Sequence, residues 1–184
     1  RGYDFGFEQS LWQKRVSFGV TWFRNDITNL IVFGPPPTFT FENIGRAKTH
    51  GIESFAAVQV TDRLQLRADY TYTIAIDADT GAALIRRPKD KVSVSAVWQP
   101  TDKLTLSATA LWVSGWFDFD RFGLAPAPFK STPYNIVNLA ANYVVGENVT
   151  LFGRIDNLFD QRYQDPVGFE RPGFGIYCGV RLTK

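Results

Sequence analysis

The side chains that most often carry nucleophilic or metal chemistry are almost missing from this sequence of 184 residues, which has one histidine, His50, and one cysteine, Cys178. His50 lies between Thr49 and Gly51 with no second imidazole to share a metal, and a lone cysteine excludes an internal disulfide or a thiolate cluster. A nucleophile and its base would have to come from opposite ends of the chain. Asp77, Asp79 and the following Thr80-Gly81 lack the spacing and terminal glutamate of a calcium loop, which leaves an aspartate-rich turn. No G-x-G-x-x-G, Walker lysine loop or H-E-x-x-H occurs. The sequence therefore offers no catalytic residue, no metal site and no cofactor.

Binding chemistry is denser. Between Ser114 and Gly123, the rings of Trp116, Phe117, Phe119 and Phe122 interleave with Asp118, Asp120 and Arg121. Such a loop would suit a planar or catecholate-like ligand, held by stacking and ion pairing, and Arg86 with Arg87 adds positive charge where an anionic ligand would enter. The candidate ligand-binding set is Trp116, Phe117, Phe119, Arg121, Phe122, Arg86 and Arg87. Two plainer roles compete for these residues. The rings would pack loops against one another, and the arginines would rest on lipopolysaccharide phosphates. His50 reads as a lumen or surface side chain, and Cys178 as a small lipid-facing hydrophobe.

The elements that position this loop show in a beat of two. Leu104, Leu106, Ala108, Ala110 and Trp112 alternate with Thr105, Ser107 and Thr109, and a strand with that spacing has one apolar and one polar face. The same register predicts nine strands over 2–11, 16–27, 39–60, 64–76, 87–98, 104–114, 134–145, 149–159 and 174–183. Eight steps of about 3.3 Å, tilted by about 40°, rise roughly 20 Å, close to the apolar band of an outer-membrane barrel. No window holds the run of apolar residues that a spanning helix needs, and mean hydropathy is slightly negative at −0.14. A barrel strand needs only every second residue apolar.

Connections alternate in length. Short polar turns sit at 12–15, 61–63, 99–103 and 146–148, while longer ones cover 32–38, 77–86, 115–133 and 160–173. Trimmed turns on one side and long loops on the other are the pattern of an up-and-down transmembrane barrel with the last strand running from outside to inside. The three residues Pro35, Pro36 and Pro37 read as a stiff extended tip with no binding role. A soluble, carbohydrate-binding β-sandwich also alternates, but it would bury its aromatics mid-strand. Here Tyr72, Trp98, Trp112 and Tyr143 stand near strand ends on the apolar side. At 45% hydrophobic and 21% charged residues the chain is not disordered, and a net charge of +2 with scattered cations gives no nucleic-acid partner. No export signal opens the sequence, so one is expected upstream of Arg1.

Three stretches resemble the C-terminal part of the TonB-dependent outer-membrane receptor family. They are Asn157-Leu158-Phe159-Asp160-Gln161-Arg162-Tyr163 followed by Arg171-Pro172-Gly173, then Asn43-Ile44-Gly45-Arg46-Ala47 running into Gly51-Ile52-Glu53, and Arg87-Pro88-Lys89. In physical terms Asn157 and Asp160 turn the chain, Tyr163 anchors it, Gly45 and Gly51 allow a bulge or a close approach, and Glu53 faces a lumen. The resemblance implies an all-β, antiparallel barrel of about 22 strands closed by a plug, of which residues 1–184 would be a C-terminal segment lacking the plug and the N-terminal strands. It also implies energised uptake of a scarce nutrient, a ferric siderophore first, with outer-membrane lipid and the TonB complex as partners. The TonB contact would run through the missing N-terminal region. A passive porin or structural barrel is the alternative. The family usually ends in an aromatic, whereas Leu182-Thr183-Lys184 ends this sequence; either the true terminus lies beyond Lys184 or insertion tolerates the change.

Overall fold

The computed structural model describes residues 1–33, 40–43, 45–119 and 128–183. In chain order the strands are β1 (Gly2–Leu11), β2 (Val16–Thr28), β3 (Ile31–Phe33), β4 (Phe41–Asn43), β5 (Arg46–Thr61), β6 (Leu64–Asp77), β7 (Asp90–Thr101), β8 (Leu104–Val113), β9 (Phe117–Asp118), β10 (Phe129–Lys130), β11 (Tyr134–Gly146), β12 (Val149–Asp156) and β13 (Gly175–Leu182). Nine form one antiparallel sheet, β1-β2-β5-β6-β7-β8-β11-β12-β13, while β3/β4 and β9/β10 are small hairpins within long connections. Each long strand pairs with the next long strand, so the sheet is a meander with β1 and β13 at its edges.

Register shows how the alternation partitions the two faces. Leu11, Val16, Val58, Leu66, Ala96, Ala108, Leu139, Ile155 and Ile176 stand side by side across all nine strands. One residue out of phase, Ser10, Ser17, Ala57, Arg67, Ser95, Thr109 and Asn138 form the corresponding polar row. Nothing among the described residues covers the apolar face: Val94 is 45% exposed and Val180 59%. A sandwich would hide those side chains under a second sheet, so the sandwich reading fails. Phe5, Trp22, Tyr72, Tyr70 and Trp112 border the apolar face at the loop end, and Trp98 with Tyr143 borders it at the turn end. Aromatic borders on both sides of an apolar band match a membrane-spanning wall. Glu53, opposite Thr21 and Thr71, lies on the polar face as expected.

At the turn end one device repeats. The register slips between Gln59 and Thr61, between Trp98 and Thr101, and between Val144 and Gly146. At each slip a backbone N–H reaches the neighbouring turn: Gln59 to Arg15 O at 2.7 Å, Gln99 to Arg63 O at 2.8 Å, Val144 to Lys103 O at 2.8 Å. The bulges turn the strands over while keeping these donors satisfied. Exposed ion pairs, Arg15 with Asp62 and Arg63 with Asp102, join the same turns. Pairs so exposed contribute at most about 1 kcal/mol each.

Four predicted boundaries need correction, and each has a local cause. The run 39–60 is not one strand, because Gly45 takes a positive φ of 69° and separates β4 from β5. Its N–H donates to Asn43 Oδ1 at 2.8 Å, and its carbonyl accepts from Asn29 N at 2.6 Å. The strand expected from Arg87 begins at Asp90, since Arg86 has φ 57° and Pro88 follows. The strand expected to reach Phe159 stops at Asp156, before Asn157 at φ 51°. Within 115–133, expected to be a loop, lies the β9/β10 hairpin. Residues 35–37 lie outside the described residues. Gly51 does allow a close approach: a Cβ there would collide with the Tyr72 carbonyl oxygen, and the Phe23 ring lies against it.

The two faces predict opposite responses to the same charge. Val94→Arg lowers stability in lipid by about 2–4 kcal/mol, whereas Ser95→Arg on the other face is nearly neutral. Urea midpoints of the folded form in vesicles check this, and equal losses would contradict the assignment of faces.

Candidate ligand-binding loop cluster

The beat of two fails at the loop end, and the failure builds a core. Leu111, Val113 and Ile136 occupy polar-phase positions of β8 and β11, with Tyr134 paired to Val113 on that face. Val113, Tyr134 and Ile136 are buried together with Trp116, and Leu111 and Tyr163 pack against them. Trp116 meets Tyr134 edge-on at 6.0 Å, and the Tyr163 ring lies tilted against Tyr134 at 4.3 Å. The loops after β8 and after β12 therefore fold onto the polar face rather than standing clear of it.

Asp118 ties a third loop to these two. Its side chain is fully buried, with 0% exposure, and its two oxygens accept from three segments. Arg86 Nε donates at 3.0 Å, the neighbouring Phe119 N–H at 2.9 Å and Val167 N–H at 3.2 Å. The Arg86 N–H also donates to Phe117 O at 2.8 Å, and its guanidinium lies 5.2 Å from the Phe119 ring centre. A buried carboxylate is tolerable only when its charge and lone pairs are met in this way. The hairpin is closed further by Trp116 N–H to Ser131 Oγ at 3.0 Å and Ser131 N–H to Trp116 O at 2.7 Å.

The candidate residues fall into two groups by exposure. Trp116 at 4% and Phe119 at 2% pack in the loop core, and the largely enclosed Arg86 pairs with Asp118 there rather than standing out toward lipid phosphates. Phe117, 42% exposed, and the exposed Arg87 face out. Phe117 is paired in register with Lys130, so an open aromatic ring stands beside an exposed cation. Arg121 and Phe122 lie outside the described residues. The sequence reading passed over Asp118, Tyr134 and Ile136 as site builders. Their signal was the run of consecutive apolar residues at Leu111-Trp112-Val113 and Ile136-Val137, which breaks the alternation.

The resemblance motifs have physical content of the expected kind. Buried Asn157 holds its own turn: its Oδ1 accepts from Gln161 N at 2.9 Å, and its Nδ2 donates to Gln161 O at 3.0 Å and Pro172 O at 3.3 Å. Asp160 Oδ1 accepts from Phe174 N at 2.8 Å, at the entry to β13. Asp77 Oδ1 accepts from Asp79 N and Thr80 N, and Asp79 pairs with Arg46, so this acidic stretch is a turn. His50 lies opposite Arg24 on the apolar face, and Cys178, opposite Gly153, is exposed on that face.

Residues 1–158 match the family described as TonB dependent receptor-like, beta-barrel. The chain belongs to the TonB-dependent receptor family. It is 29% identical to the ferric enterobactin receptor of Pseudomonas aeruginosa, over 86% of this chain and 25% of that protein. It is also 29% identical to the ferrienterobactin receptor of Escherichia coli K12, over 78% of this chain and 21% of that protein. A crystal structure of the Pseudomonas aeruginosa ferric enterobactin receptor in complex with enterobactin superposes with a TM-score of 0.80 at 25% identity, over 98% of this chain and 31% of that one. The chain thus spans about a quarter of the length of the curated relatives it matches. Within this family its nine-stranded sheet is wall, and the Asp118 cluster is the place where three loops meet above that wall.

In such a receptor Asp118→Ala strands the Arg86 guanidinium and frees the backbone donors of Phe119 and Val167, a local loss on the order of 3 kcal/mol. Hydrogen exchange at 84–90, 116–119 and 165–169 rises together in that variant, while the mid-strand amides of β7 and β8 stay protected. A rise confined to 116–119 would contradict the three-loop joint.

Proposed function

We propose that this chain is the C-terminal wall segment, residues 1–184, of a bacterial outer-membrane receptor that takes up a ferric siderophore by TonB-dependent transport. The plug and N-terminal strands then belong to parts of the receptor beyond this chain, and contact with the TonB complex runs through that N-terminal region. The strongest support is the similarity to two receptors named for ferric enterobactin, carried across most of the chain. A protein-wide likeness of fold does not fix a cargo, so the loop chemistry has to agree. The exposed ring of Phe117 with Lys130 beside it, and the exposed Arg87, support this reading.

In this reading Phe117 and Arg87 touch the ligand, with Lys130 beside Phe117 as a third contact. Stacking on Phe117 holds a planar aromatic group, and the cations hold its negative charge. Trp116, Phe119 and Arg86 serve the same site from behind, by fixing the hairpin through Asp118. Trp116 Nε1 and Arg86 Nη2 are buried donors with no protein acceptor among the described residues, so oxygen acceptors from ligand or solvent are favourable near them. Arg121 and Phe122 complete the proposed contact set.

Growth of a deletion strain on a ferric catecholate under iron limitation tests the cargo, with the receptor gene restored as wild type or as the Phe117→Ala, Arg87→Ala double variant. Restoration by the wild type, and a rise of about tenfold or more in the ligand concentration needed by the double variant, is the expected result. No restoration by the wild type would remove the siderophore cargo. Full restoration by the double variant would return Phe117 and Arg87 to loop packing.

A further inference from the structure

Within the last long connection, residues 163–171 fold back on themselves as a miniature hairpin. Arg171 N–H donates to Tyr163 O at 3.0 Å, Gln164 and Glu170 form an antiparallel bridge, and Asp165 N–H donates to Phe169 O at 3.1 Å. Its tip is closed by Phe169 N–H to Pro166 O at 3.0 Å and by Gly168 N–H to Gln164 Oε1 at 2.9 Å, with Gly168 at φ 89°. Residues opposed in such a pair share a face, and chain neighbours alternate. Phe169 and Arg171 therefore lie on the side of Asp165 and Tyr163, while Glu170 and Gln164 take the other.

The side holding Phe169 and Arg171 is turned to the loop core. The Tyr163 ring lies against Tyr134, whose hydroxyl donates to Asp165 Oδ2 at 3.3 Å, and Arg171 acts electrostatically on the same hydroxyl. Val167 N–H, bonded to Asp118 Oδ2 at 3.2 Å, is the second tie. Held at both points, the hairpin still leaves Phe169 50% exposed and Arg171 exposed. Phe169 stands two residues from Val167 and Phe117 one residue from Asp118, so both open rings hang from the two ends of one hydrogen bond. Each ring has a cation on its own hairpin, Lys130 opposite Phe117 and Arg171 two residues, or about 7 Å, from Phe169.

We propose that Phe169 and Arg171 form a second ligand contact, which takes one aromatic, anionic group of the ferric complex while Phe117 and Lys130 take another. The inference rests on the ferric siderophore reading given above. A ferric ion wrapped by several bidentate catecholates presents more than one planar ring outward and carries net negative charge, so a single ring with its cation engages only part of it. Two such pairs, joined through one buried carboxylate, hold the complex at two points whose spacing is already set. Once the first contact forms, the second follows at high effective concentration. Of the two carboxylates on the miniature hairpin, Asp165 is engaged by the Tyr134 hydroxyl and Glu170 faces away.

Equilibrium titration of the whole receptor in detergent with a ferric catecholate, read by quenching of tryptophan fluorescence, tests it. The Phe169→Ala, Arg171→Ala variant binds about tenfold more weakly, and Glu170→Ala on the far side binds as wild type does. Hydrogen exchange at 116–119 stays at the wild-type level in both, because the Asp118 joint is intact. Wild-type affinity in the double variant would overturn the proposal while leaving Phe117 and Arg87 as ligand contacts. A tenfold loss accompanied by faster exchange at 116–119 would also overturn it, since the two side chains would then be holding the loops. An equal loss in Glu170→Ala would do the same, because the two sides of the hairpin would not differ. Absence of binding by the wild type would remove the cargo reading and this contact together.

Discussion

Every backbone N–H and C=O within a hydrocarbon layer needs a partner from the protein itself, since no water is present to supply one. A lateral ladder of antiparallel strands meets that demand without a single helix, and the remaining architecture follows from it. Once the backbone is satisfied sideways, side chains alternate between two environments. The nine-residue apolar row from Leu11 to Ile176 is what that alternation looks like when read across strands instead of along them. Bulges near the turns keep the ladder going where the chain reverses, handing each spare donor to the preceding turn. The edges at β1 and β13 present the same unpaired groups that the interior strands have already paired, and in a closed wall they meet neighbouring strands.

The loop end obeys a different balance. There the polar face is sheltered by the chain's own loops, so apolar side chains replace polar ones and a small core forms beneath Trp116 and Tyr163. Burying Asp118 at the centre of that cluster is costly on its own, and it is offset by one guanidinium and two backbone donors drawn from three connections. The result is a rigid support with a chemically varied outer edge. A receptor of this kind needs both, because ligand contacts on loops are only as well positioned as the scaffold under them.

Much of this was legible in the residues before any coordinates. Strict alternation, polar turns such as Thr61-Asp62-Arg63 and the unequal connection lengths were enough to give the nine strands, their antiparallel order and the two faces. Boundaries slipped where a single backbone angle decided them, at Gly45, Arg86 and Asn157, because a positive φ leaves little trace in composition. The division of the aromatic loop was not legible. Trp116 and Phe119 look the same in sequence as Phe117, and only the burial of the first two against the 42% exposure of Phe117 shows which rings turn inward. The off-beat apolar residues Leu111, Val113 and Ile136 carried the missing information, since a wet face has no use for them unless something dry lies above.

The account stands on one sheet separating hydrocarbon from water. Cysteine scanning along β8, residue by residue from Leu104 to Val113 in a Cys178→Ser background, measures this directly when each site carries a fluorophore in vesicles. Quenching by a lipid-phase quencher should peak at 106, 108 and 110 and fall at 105, 107 and 109, with a water-soluble quencher showing the inverse. A flat profile, or one with the period reversed, would contradict a lipid-facing wall.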